Sequence, residues 1–280
     1  MTDSTEPVVA PPNPPGAPAP ASPALLEEAL ELARRAGDLT LGWFRGDDAL
    51  EIETKADDTP VTAADRAAER FIRHELSRRH PADGIIGEEE GVAVGTSGRR
   101  WVVDPIDGTY GFVHGVPLYS TLLAVLDEAG PLVGVIHLPA LKETVFAGRG
   151  LGCFQLGPQG ERRPARVNDH PQLLGAAIMT SAVGHWSPGA VDRLHQVGAK
   201  VRTWGDGYGY ALVATGRVEA MVDPEVSVWD LAPMPVIIGE AGGKFSTVTG
   251  RHDLWGGSGV ASNGHIHHAL LAQLSPPGIA

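Results

Sequence analysis

The chain has 280 residues, 42% of them hydrophobic and 20% charged, with a formal net charge of −12. That length suits one large domain or two halves sharing a core, and the composition is ordinary for a soluble globular protein. The acidic balance argues against a general nucleic-acid surface or an anionic membrane partner. The single cysteine, Cys153, excludes an intramolecular disulfide and a cysteine zinc cluster, and it fits a reducing cytoplasm.

No apolar run approaches the ~20 residues that span a bilayer. The N-terminus lacks the basic start and apolar stretch of a secretory signal. Residues 1–23 hold eight of the 23 prolines, and residues 1–22 read as a disordered, partly polyproline-II tail. Ser22-Pro23 is a helix start, serine capping and proline at the first helical position. Leu26, Ala29, Leu30 and Ala33 follow at helical spacing. A second helix is expected over 63–80, with Ala68, Phe71, Ile72 and Leu76 on one face and a polar loop, TKADDTPVTAAD, before it.

From Gly84 to Leu156 short strands dominate. Tyr119–Leu126, Leu132–Leu138 and Glu143–Ala147 are β-rich runs between turn signals, the pattern of an antiparallel meander. Beyond Arg166, strand candidates Ala177–Thr180, Val201–Trp204, Val218–Val222 and Val260–Ser262 alternate with helix candidates at 188–199, 208–216, 229–241 and 264–274. The expectation is an α+β, antiparallel-rich N-terminal half (23–160) and an α/β C-terminal half (161–280).

Several chemistries lack their motifs. There is no phosphate-binding GxxxxGK[ST] loop and no GxSxG elbow, and GDGYGY at 205–210 does not match GxGxxG. Three carboxylate groups remain. Glu88 follows Ile85-Ile86, Asp104 and Asp107 follow the apolar run Trp101–Val103, and Asp230 follows Trp229. Each stands at a junction of regular elements, where a scaffold positions functional groups. Hard oxygen ligands suit Mg²⁺ or Mn²⁺. If these acids converge, their repulsion demands cations, and two metals ~4 Å apart would clamp a phosphoryl group and activate water. Singly, each has an ordinary reading: a solvated glutamate loop, an Asp-Pro or Asp-Gly turn, an aspartate helix cap.

Together, in this order, they resemble the inositol monophosphatase family of Mg²⁺-dependent, lithium-sensitive phosphatases. The resemblance spans Leu25 to Leu271. It rests on WVVDPIDGTYGFVHGVP at 101–117 and WDLAPMPVIIGEAGG at 229–243, with weaker matches at KADDTPVTAAD (55–65), IGEEEG (86–91) and SNGHIHHAL (262–270). It implies a layered αβαβα sugar-phosphatase fold and, by analogy, a homodimer. It also implies that Glu88, Asp104 and the Ile106 carbonyl hold one metal, and that Asp104, Asp107 and Asp230 hold a second. A third metal would lean on Glu88, giving two to three Mg²⁺ ions with Mn²⁺ as a substitute. Thr109 and Glu88 would orient the attacking water, Asp65 would bond Thr109, and the Gly108 and Thr109 amides would take phosphate oxygens.

The segment RTWGDGYGYALVATGRVEAMVDPEVSVWD at 202–230 resembles the histidinol-phosphatase branch, which carries Trp-Gly-Asp-Cys-Tyr-Gly-Tyr, with Gly207 here in the cysteine's place. A cationic amino-alcohol phosphate calls for acids beyond the metal ligands. Asp206 and Asp223 are the expected substrate carboxylates, with Gly207 beside them and Glu225 a weaker candidate. The competing role for Asp206 is a cap on the helix from Tyr208. The expected substrate is L-histidinol phosphate, with inositol 1-phosphate or a sugar phosphate as the alternative. His185 and Trp186 are expected in a surface turn, with the pocket border as the alternative. Cys153 is read as a core residue, and His265, His267 and His268 as mostly surface.

Overall fold

The computed structural model describes residues 18–46, 52–54 and 60–274. The proposed tail at 1–17, and residues 55–59 of the weaker KADDTPVTAAD match, lie outside them. Residues 18–22 belong to the fold: Ala21 is buried and its N–H donates to the Arg149 carbonyl, 2.9 Å.

Helix α1 (Pro23–Thr40) starts where the sequence says. The Ser22 hydroxyl accepts from the Leu25 N–H at 3.1 Å, and proline occupies the first turn. A hairpin of β1 (Ile52–Thr54) and β2 (Pro60–Thr62) leads into α2 (Ala63–Arg79). Thr62 and Asp65 form a reciprocal capping box that satisfies two orphan amides of the helix start.

The first sheet has eight strands: β3 (Gly84–Gly87), β4 (Gly91–Ala93), β5 (Arg100–Asp107), β6 (Ser120–Asp127), β7 (Gly130–Leu138), β8 (Glu143–Gly148), β9 (Gly152–Leu156) and β10 (Arg162–Pro164). Their order is β10-β9-β8-β7-β6-β5-β3-β4, and only β3 and β5 run parallel. Because β10 completes this sheet, the change of architecture falls after Pro164. A short helix, α3 (Thr109–Val113), follows β5.

The chain then runs through β11 (Ala177–Met179), α4 (Ala190–Gln196), β12 (Lys200–Arg202), α5 (Asp206–Ala214), β13 (Ala220–Asp223), α6 (Val228–Leu231), α7 (Met234–Glu240), β14 (Lys244–Ser246), β15 (Gly259–Ser262) and α8 (His267–Leu274), and the five strands form the second sheet. Its order is β12-β11-β13-β15-β14. The first three are parallel, and β15 is antiparallel to both neighbours.

Burial sorts these elements into five layers. Leu26, Leu32, Ile72 and Leu76 of α1 and α2 pack on Trp101, Leu123 and Phe146 of the large sheet. The other face of that sheet, through Leu122, Ile136 and Val145, meets Tyr210, Leu212, Met234 and Ile237 of α5 and α7, which also cover Met221 and Ala261 of the small sheet. Leu194 of α4 and Leu270 of α8 close the outer face over Ile178 and Val260. The αβαβα layering and the antiparallel and α/β halves expected from the sequence are present.

Some boundaries differ for local reasons. The helix expected over 229–241 is two helices, α6 and α7, because Pro233 and Pro235 remove amides that a continuous helix needs. Helix α4 is shorter than 188–199, being bounded by Gly189 and Gly198 at positive φ. Helix α8 starts at His267 rather than 264, because the Asn263 side chain holds the preceding amides of His265 and Ile266. No helix among the described residues is long and apolar enough to cross a membrane.

Candidate active site

Strand β5 is buried from Trp101 to Asp107. Its pairing with β6 slips between Asp104 and Asp107, and this irregularity re-aims the strand end. Asp104 and Asp107 therefore both reach the junction of the two sheets, where Asp230 arrives from α6. One carboxylate oxygen of each of these three lies within 4.8 Å of the others.

The three acids and Glu88 line one pocket of about 320 Å³, with Ile106, Gly108, Thr109, Asp206, Gly207, Asp223 and Glu225. Every predicted site residue except Asp65 lines it. Asp65 lies immediately behind, accepting from the Thr109 hydroxyl at 3.4 Å while its other oxygen holds the Thr62 N–H and hydroxyl at 2.8 and 2.6 Å. The Ile106 carbonyl, 2.8 Å from Thr109 Oγ1, is the nearer acceptor for the same hydroxyl hydrogen.

The electrostatics of the cluster are unfavourable as they stand. Burial, and then the charges of Glu88, Asp107 and Asp230, push the Asp104 carboxyl well above the usual range. Asp107 is raised by burial and by Asp206 and Asp230. Asp230 is pushed up to about 7, mainly by burial. Asp104 Oδ1 is buried with no hydrogen-bond partner among the described residues. A buried polar atom without a partner is costly, and an orphaned oxygen inside an all-carboxylate cluster fits a hard divalent cation.

Asp107 is held from two sides: Oδ2 accepts from the Ser120 hydroxyl at 2.5 Å and the Gly207 N–H at 2.6 Å. A Cβ at Gly207 would stand 2.3 Å from Ser120 Oγ and 2.8 Å from Asp107 Oδ2. A side chain there would have to displace these groups, and residue 207 supports an acid of the cluster through its amide.

Asp206 is not the conventional cap that competed in the sequence reading. Gly205 occupies the cap position, and Asp206 is the first residue of α5, with a left-handed φ of +54°. Its N–H donates to Ser181 Oγ, 2.9 Å, and its carboxylate lies so close to Gly108 that a Cβ on that glycine would stand 2.7 Å from Oδ2. The left-handed backbone of a non-glycine residue is strained, and such strain concentrates at functional sites. Asp223 accepts from the Ser181 N–H at 2.9 Å and the Tyr210 hydroxyl at 3.1 Å, and burial raises its carboxyl to about 6. Glu225 bonds His185 Nδ1 at 2.6 Å across the pocket mouth.

Sequence reading missed Ser120, Ser181 and Tyr210, which hold the acids in place; single serines and tyrosines carry no motif signal. Two expectations are corrected. Trp186 is buried and donates to Thr180 Oγ1 at 2.9 Å, while its neighbour His185 borders the pocket. His267 is buried with both ring nitrogens bonded, to Ser246 and Ser262, and burial lowers it to about 4; His265 and His268 are exposed. Cys153 is buried as expected.

A five-layer αβαβα fold with an acidic cluster at the meeting of its sheets defines a class of phosphate-ester hydrolases. Residues 23–278 match the model of the inositol monophosphatase family, and the chain belongs to that family. It is a phosphomonoester hydrolase. The chain is 42% identical over 251 residues to the histidinol-phosphatase of Mycobacterium tuberculosis, covering 88% of this chain and 96% of that one. It is 34% identical over 260 residues to the inositol-1-monophosphatase of Mesorhizobium japonicum, covering 91% and 97%. Among solved structures, the IMPase of Thermotoga maritima superposes with a TM-score of 0.80 at 30% identity, over 90% of this chain and 96% of that one.

Proposed function

We propose that this chain hydrolyses L-histidinol phosphate to L-histidinol and inorganic phosphate, a step of histidine biosynthesis. The observation that carries the reading is charge. Beyond the cluster of Glu88, Asp104, Asp107 and Asp230, three more carboxylates, Asp206, Asp223 and Glu225, line the pocket, and no Lys or Arg does among the described residues. Such a lining repels a leaving group with further phosphates and attracts an ammonium or imidazolium. The identity to histidinol-phosphatases supports the same reading.

Glu88, Asp104, Asp107, Asp230 and the Ile106 carbonyl would hold two to three Mg²⁺ ions, with Mn²⁺ as a substitute. When bound, the metal supplies the charge that neutralises these acids, polarises the phosphoryl group and lowers the pKa of water. The protein residues do the rest. The single Thr109 hydroxyl hydrogen is directed inward, to the Ile106 carbonyl or the Asp65 carboxylate, so its outward lone pairs can accept a hydrogen from water. Glu88 takes part in orienting that water and receives its proton. The Gly108 and Thr109 amides, at the start of α3, hold phosphate oxygens. Asp206 and Asp223 hold the amino-alcohol. The same reading places the enzyme in the cytoplasm as a homodimer with a small phosphate-ester substrate and no nucleic-acid or membrane partner.

The test is phosphate release from L-histidinol phosphate and inositol 1-phosphate in parallel, with Mg²⁺ and with EDTA. The expected result is an Mg²⁺-dependent preference of about tenfold or more in kcat/KM for histidinol phosphate, the worth of one charge-assisted hydrogen bond. Preference for inositol 1-phosphate would move the chain to the alternative reading, an inositol or sugar-phosphate phosphatase.

A further inference from the structure

Glu69 lies on α2 one turn after Asp65 and is completely buried. Its Oε2 accepts the Glu89 N–H at 2.8 Å and its Oε1 the Glu90 N–H at 3.1 Å. Arg73, a further turn along the helix, donates Nε to Oε1 at 2.7 Å and reaches the Gly91 carbonyl with its other arm. Its Nε also lies 3.6 Å from the Glu90 carboxylate. The end of β3 presses on this group: a Cβ at Gly87 would stand 1.9 Å from Glu69 Oε1. The turn that presents Glu88 to the pocket is thus bonded from within to α2.

A buried ion pair is a poor device for stability alone. Apolar residues of similar volume are often as good or better, and α2 already packs through Ala68, Ile72 and Leu76. A carboxylate that accepts two successive turn amides does what no apolar residue can, since it fixes the direction of the turn. The same helix carries Asp65 against Thr109. One rigid element therefore sets the separation between Glu88 and Thr109, which the proposed function assigns to a single water.

We infer that Glu69, braced by Arg73, is a positioning residue that holds the 88–91 turn so that Glu88 can bind metal. This rests on the metal role proposed for Glu88. Outer residues that orient metal ligands typically change metal affinity by about 10–100-fold.

The experiment compares the wild type with Glu69→Gln, Glu69→Ala and, as a packing control on the same helix, Leu76→Ala. Three quantities are read: the Mg²⁺ dissociation constant by calorimetry, the Mg²⁺ half-saturation of phosphate release, and hydrogen exchange of the Glu89 and Glu90 amides. Expected is an increase of about tenfold in both Mg²⁺ constants for Glu69→Gln and more for Glu69→Ala. KM at saturating Mg²⁺ should change little, and exchange at 89–90 should be faster. Leu76→Ala should lower Tm without moving the Mg²⁺ constants. If Glu69→Ala fails to fold, Glu69→Gln decides. A folded Glu69→Gln that loses Tm but keeps its Mg²⁺ dissociation constant within about twofold overturns the inference. The calorimetric titration separates this from the substrate assignment, because it needs no substrate.

Discussion

The two sheets contribute to the pocket in different ways. The large sheet delivers Asp104 and Asp107 from the buried end of β5, Glu88 from the turn after β3 and Thr109 from the start of α3. The small sheet delivers Asp206 from a helix start, and Asp223 and Glu225 from the end of β13 and the loop after it. In the first set the strand ladder is joined by side-chain bonds from Ser120 to Asp107 and from the turn after Glu88 to Glu69, and the second set is held through Ser181, Tyr210 and His185. The contrast suggests a division of labour, with the chemistry anchored in the large sheet and the choice of leaving group on the small one. Asp230 crosses the division, since it comes from the C-terminal half and joins the cluster of the first.

Asp104→Asn should break the chemistry for every substrate, with kcat falling about 10³-fold or more for both histidinol phosphate and inositol 1-phosphate. Its metal-free form should melt higher than the wild type, because a buried repelling carboxylate has gone. Retained turnover of either ester would end the division. Asp206→Ala should sharpen it: kcat/KM for histidinol phosphate falls about 10–100-fold, as for a lost charge-assisted bond, while inositol 1-phosphate is nearly unaffected. Equal loss on both esters would return Asp206 to a purely structural role.

Smaller effects are expected within the small sheet. His267→Ala leaves two buried serine hydroxyls without their ring partner and should cost about 1–3 kcal/mol in denaturant unfolding, whereas His268→Ala should stay within about 0.5 kcal/mol. Similar losses at both would contradict the buried position of His267.

The mildest test is a pH gradient. In the metal-free protein Asp223 is raised to about 6 and Asp230 to about 7, so the folded state binds protons that the unfolded chain has released. Stability from these groups is complete below the ordinary aspartate range and is lost as pH rises through about 7. Calorimetry in EDTA should show Tm falling across that window, and saturating Mg²⁺ should flatten the decline. A Tm that is level in EDTA would contradict the coupling.

Much of this was legible because the signals are local. Trp101–Asp107 reads as a strand ending in acids, and Ser22-Pro23 as a helix start, since the signals lie within a few residues. What the sequence hid depends on distant partners. Trp186 faces Thr180 in a core closed by α8, and His267 is sandwiched by serines of two strands. Gly207 packs against Ser120 and Asp107, which lie far before it in the chain. Glu69 did leave a trace. Asp65, Glu69 and Arg73 recur every fourth residue on α2, and a charged stripe on a helix that must also pack is a signal that apolar periodicity passes over.

The left-handed backbone at Asp206 carries a consequence for protein engineering. An L-residue held at φ +54° forfeits roughly 1–2 kcal/mol that glycine would keep. A screen for heat resistance alone would therefore favour Asp206→Gly and discard the pocket carboxylate proposed to hold the substrate. Residue 206 should be withheld from any such library, for there thermal robustness and the recognition of a cationic ester pull in opposite directions.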